Sequence, residues 1–83
     1  MRATIKAINP NRGMYAAKIH NDGSYVIFEL LDMDEPDLGD EIIHANFYSM
    51  GGETFQNITK QSKIEVFIQN VCGANLVRQQ LLL

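Results

Sequence analysis

Met14-Tyr15-Ala16-Ala17-Lys18-Ile19-His20, then Asn21-Asp22-Gly23-Ser24, then Tyr25-Val26-Ile27-Phe28-Glu29-Leu30-Leu31 is the stretch that decides the fold. Two segments of extended character flank a four-residue break holding Asp-Gly, one of the strongest short-range hairpin signals, because glycine takes the positive φ such turns demand. Neighbouring strands joined this tightly run antiparallel.

The same pattern extends in both directions. Upstream, residues 3–8 (Ala-Thr-Ile-Lys-Ala-Ile) alternate small or apolar with polar side chains at the period of a strand. They stop at Asn9-Pro10-Asn11-Arg12-Gly13, where proline fixes one φ and glycine frees another. Downstream, residues 32–40 combine five acids with Pro36 and Gly39 and read as an exposed loop. Residues 41–49 resume β character, Met50-Gly51-Gly52 reads as a tight reversal, and residues 53–59 read as its partner strand. Residues 62–71 place Ile64, Val66 and Ile68 on one face and Glu65, Phe67 and Gln69 on the other. The tail, residues 74–83, fits neither period and stays open between a short helix and an edge strand.

Eighty-three residues hold one hydrophobic core, so residues 1–83 read as one domain. Strands spaced 8 to 12 residues apart favour a barrel or a sandwich, and closure protects the edges of so small a sheet. The expectation is an all-β, five-stranded antiparallel barrel with an added C-terminal strand or short helix.

Charge is segregated along the chain. Residues 1–20 carry Arg2, Lys6, Arg12 and Lys18 with no acid, residues 21–59 carry nine acids with no Lys or Arg, and residues 60–83 return to +2. The net charge of −3 therefore does not exclude an anionic partner, because local fields follow placement and not totals. Cys72 is the single cysteine and cannot form an internal disulfide, which points to a reducing, cytoplasmic setting. Met1-Arg2-Ala3-Thr4-Ile5-Lys6 is too charged for a signal peptide, and no stretch approaches the roughly 18 apolar residues of a membrane span. No membrane partner is expected.

His20, His44 and Cys72 lie far apart without ligand spacing, so neither a metal nor a cofactor is expected. Neither histidine sits in a catalytic motif, and no enzymatic activity is expected.

Residues 9–15 (Asn-Pro-Asn-Arg-Gly-Met-Tyr), residues 21–30 (Asn-Asp-Gly-Ser-Tyr-Val-Ile-Phe-Glu-Leu) and residues 38–42 (Leu-Gly-Asp-Glu-Ile) together resemble the core of the cold-shock domain. That family orders a basic-Gly-aromatic motif, a turn, an aromatic-rich strand and a Gly-Asp step. The resemblance spans roughly residues 3 to 60. It implies an OB-fold barrel whose second and third strands bind single-stranded RNA or DNA. The family's stacking positions correspond here to Ala16, Ile27 and Glu29.

Alternation that sends Ala3, Ile5 and Ala7 inward sends Thr4, Lys6 and Ile8 outward, beside Met14, Ala16 and Lys18, with Tyr25 and Ile27 completing the face. The nucleic-acid site expected on this basis comprises Lys6, Arg12, Met14, Lys18, Tyr25 and Ile27: cations for phosphates and an aromatic for a base. One or two stacking contacts at about 1–3 kcal/mol each imply weak, salt-sensitive binding. The competing expectation is a protein-interaction or self-assembly module, a homodimer included, using Phe67, Leu76 and Leu81 as an apolar contact.

Overall fold

The computed structural model describes residues 1–83. Six strands, β1 (Arg2–Asn9), β2 (Met14–Ile19), β3 (Tyr25–Leu30), β4 (Glu41–Ile43), β5 (Gly51–Asn57) and β6 (Ser62–Cys72), close into one antiparallel barrel in the order β1-β2-β3-β6-β5-β4. A single 3₁₀ turn (Ala74–Leu76) and a short helix α1 (Val77–Leu81) complete the chain. No helix is long and apolar enough to cross a membrane.

The expected small antiparallel β-barrel is present, but with six staves in place of five: the added strand is part of the closed ring, and the tail after it is a 3₁₀ turn and a short helix with no edge strand. β6 is a full stave of the barrel. Residues 62–68 pair with β5 and residues 66–72 with β3, so its eleven residues bridge the two sides of the sheet. β3 and β4 lie on opposite sides of the ring, so the acidic loop between them crosses one mouth of the barrel. Asp40 fastens the far end of that loop. Its carbonyl accepts from the Ile5 amide, and its buried carboxylate accepts from the Asp37 amide and the Asn57 side chain at 2.9 Å each. Lys60 adds ion pairs to Asp37 (2.7 Å) and Asp40 (3.4 Å).

The interior is filled from alternate positions: Ala3, Ile5, Tyr15, Ala17, Ile19, Val26, Phe28, Ile42, Phe55, Ile64, Val66 and Ile68 form one cluster with Phe47. Phe55 is its centre, packed edge-on against Phe28 (5.0 Å between ring centroids) and Phe47 (5.2 Å).

Three local expectations need correction. The β4–β5 reversal is made by residues 44–50, and Gly51 and Gly52 belong to β5, paired with Ile68 and Phe67. The longer connection lets Phe47 reach inward and bury itself completely. In β1, a bulge between Ile5 and Ala7 leaves Lys6 without a partner and reverses the alternation. Ala7 therefore faces outward and Ile8 inward, as one extra residue in a period-2 strand requires. Finally, Ile27 and Leu81, both expected at a surface, are fully buried.

Candidate functional site

A second bulge, between Ile27 and Phe28 of β3 and the facing stretch of β6, leaves Gln69 as the extra residue. Beyond it the alternation of β6 is reversed, so Val71 packs on the barrel core while Cys72 turns outward. The two bulges together assemble an apolar patch on the outside of the barrel. Ala16, Ile27 and Cys72, edged by Ala7, Met14 and Tyr25, receive Val77 and Leu81 of α1.

Helix α1 has five residues, too few to persist in water alone, so its structure depends on docking. Two side-chain bonds assist. Asn9 is buried and donates to the Leu81 carbonyl at 2.7 Å, and Asn70 donates to the Gln80 side-chain oxygen at 3.4 Å. Asn9 reads from sequence as a turn former; its role as the anchor of a segment 72 residues away is invisible without the fold. Cys72 lies beneath the helix, where burial pushes its thiol up from its ordinary value and keeps it protonated.

The strand face expected to bind nucleic acid is therefore roofed, and what remains open is its rim. Lys18 is exposed and stands between Thr4 on β1 and half-buried Tyr25 on β3. Lys6 projects from its bulge, and Arg12 is exposed in the β1–β2 turn, where Gly13 takes φ +62°. Arg78, on α1, is a fourth cation that the sequence reading did not single out. None of Lys6, Arg12, Lys18 and Arg78 forms an ion pair, nor does Lys63 on β6 beside the opposite cleft, whereas Arg2 pairs with Glu41, His44 with Glu53, and Lys60 with Asp37 and Asp40. Among the expected apolar contacts, Phe67 (42% exposed) and Leu76 (39%) are open, but Leu81 is the centre of the helix seat.

Where α1 meets the β1–β2 turn, a groove of about 420 Å³ opens, lined by Asn11, Arg12, Met14, Ile27, Glu29, Gln69 and Gln80. It gathers Arg12, Met14 and Ile27 from the expected site and adds three amides and a carboxylate. Glu29 has only a long contact with Gln69 (3.5 Å) and no cationic partner. The amides escaped sequence reading because Gln69 faces the groove through a bulge and Gln80 through the docked helix. Neither arrangement leaves a local signature.

A cleft of about 450 Å³ beside β4 and β5 contains His44. Both ring nitrogens are engaged, Nε2 with Glu53 at 2.8 Å and Nδ1 with the Thr54 carbonyl at 3.1 Å, so this histidine is a structural tie. No three His, Cys, Asp or Glu side chains stand close enough to share a metal ion. Comparison with protein-family models, curated proteins and solved structures finds no match.

Proposed function

We propose that this domain binds single-stranded RNA or DNA without catalysis, along the rim of the α1-bearing face. The observation that carries the reading is a set of four cations without ion pairs, Lys6 on β1, Arg12 in the β1–β2 turn, Lys18 on β2 and Arg78 on α1, of which Arg12 lines a polar groove, while most acids are paired or gathered in the loop over the barrel mouth. Unpaired Lys and Arg release counterions from a phosphate backbone, and half-open Tyr25 supplies one stacking surface. The resemblance of the first two hairpin motifs to the cold-shock domain supports the same chemistry. With α1 seated on Ala16 and Ile27, the strand face cannot serve as a broad stacking platform, so the affinity expected is micromolar or weaker.

Titration with an eight-nucleotide all-uracil RNA, followed by amide NMR shifts at low and at moderate salt, tests the proposal. Shifts should cluster at Lys6, Arg12, Lys18, Tyr25 and Arg78 and fade as salt rises. Joint replacement of Lys6, Arg12 and Lys18 by alanine should abolish them. A flat titration at low salt overturns the reading.

One observation favours a second reading, self-association. Phe67 has Gly52 and Glu29 as cross-strand neighbours and keeps 42% of its surface exposed, with Leu31 (55%) just past the end of β3, its amide donating to the Glu65 carbonyl. Light scattering that gives a monomer mass at millimolar concentration, unchanged by Phe67→Lys, excludes it.

A further inference from the structure

We infer that the groove between the β1–β2 turn, the β6 bulge and α1 is a nucleobase subsite that selects guanine. The inference rests on the nucleic-acid reading and names the base the site would take. Its volume, about 420 Å³, lies at the small end of ligand pockets, which span roughly 300 to 1,000 Å³. That is room for one base with its sugar and phosphate.

The selection follows from which hydrogen-bonding atoms are free. Glu29 projects outward from β3, half-buried, between Met14 and Phe67 on the adjoining strands. A carboxylate that only accepts, placed on a face meant for phosphates, is unfavourable unless it meets donors on the ligand. Gln80 already accepts the Asn70 amide through its oxygen, which leaves its own NH₂ group free to donate. Gln69 turns its NH₂ group toward Glu29, leaving its oxygen free. The groove thus offers two adjoining carboxylate acceptors, one amide donor and the Arg12 guanidinium.

Guanine is the one common base whose Watson–Crick edge carries two adjacent N–H donors, N1 and N2, next to a carbonyl acceptor, O6. Glu29 receives the two donors, the Gln80 amide donates to O6, and Arg12 takes the 5′-phosphate. Adenine and cytosine each turn a ring-nitrogen lone pair toward the carboxylate. Uracil offers a single N–H flanked by two carbonyls. Each therefore leaves at least one like-polarity contact, which a site built on hydrogen bonds rejects strongly. Met14, with Ile27 buried behind it, provides the apolar floor under the ring.

The test compares all-uracil octanucleotide RNA with the same strand carrying one central guanosine, alongside the four 5′-monophosphates, read by NMR at the amides of Glu29, Gln69 and Gln80. The guanosine strand should bind about tenfold tighter or better, the scale a bidentate pair supplies. Glu29→Gln should remove that preference without weakening the all-uracil strand, because a lost negative charge cannot harm phosphate contacts. Arg12→Ala should weaken both strands alike. If Glu29→Gln perturbs the fold, Gln80→Leu is the second probe and should reduce the preference in the same direction. Equal binding of the two strands by the native protein overturns guanine selection and leaves the nucleic-acid reading standing. If no strand binds, that reading falls, and the monophosphates then decide: shifts in the groove with GMP alone, lost in Glu29→Gln, sustain the subsite, and their absence overturns it.

Discussion

Replacing Leu81 by alanine should loosen α1 from the barrel without unfolding the barrel. Leu81 is fully buried and packs with Val77 on Ala16, Ile27 and Cys72. Truncating a buried leucine costs about 2–5 kcal/mol, the range reflecting how far the site can collapse. Here the lower half applies, at about 2–3 kcal/mol, because a five-residue terminal helix can lift away instead of leaving a cavity. With about 1.4 kcal/mol per factor of ten, the population with α1 undocked should rise about 30- to 150-fold. Cys72 is the reporter. It is 8% exposed beneath the helix, and undocking both uncovers the thiol and removes the burial that holds its pKa up. In a thiol-labelling assay where reclosing outpaces reaction, the rate should increase by that factor, while urea unfolding of the barrel shifts by less than the full 2–3 kcal/mol. A labelling rate that rises only as much as the global stability loss explains would refute the reasoning, since Cys72 would then be reached only through complete unfolding.

Asp40→Asn should cost about 1–3 kcal/mol in urea unfolding, because Asn57, the Asp37 amide and Lys60 lose a buried charged acceptor. Burial alone would raise the Asp40 carboxyl, but the Asp37 amide, Asn57 and Lys60 outweigh it and hold it below the ordinary carboxylate value. A carboxyl lowered on folding stabilises above its unfolded value, near 3.9, and that contribution disappears as pH falls toward the folded value. The acid limb of the stability curve should therefore be shallower in Asp40→Asn, and superimposable limbs would contradict the assignment. Gly13→Ala should cost about 1–2 kcal/mol through its left-handed backbone alone, since no atom lies within 4 Å of the added methyl. Gly52→Ala, equally open but without positive φ, should be neutral or slightly stabilising, and equal effects at the two glycines would contradict this. Phe55→Ala should cost about 3–5 kcal/mol, enough to unfold so small a domain, so a folded spectrum with an unchanged thermal midpoint would disprove its central place in the core.

The sequence by itself determined the staves and several of the turns. Val26 and Phe28, or Ile64, Val66 and Ile68, carry their inward direction in a two-residue period, and Asn21-Asp22-Gly23-Ser24 places the hairpin because backbone sterics act within a few residues. The acidic loop was legible for the same local reason. Only tertiary structure decided which outer face remains open. The bulges at Lys6 and Gln69 arise from register against partner strands, and a register slip of one residue turned Ala7 and Cys72 outward with no mark in the local pattern. The tail was unreadable because α1 is too short to have a conformation of its own; Ile27, Ala16 and Asn9 give it one. That docking roofed the expected strand face and, with Gln69 and Gln80 brought beside Arg12 and Glu29, left a groove in its place.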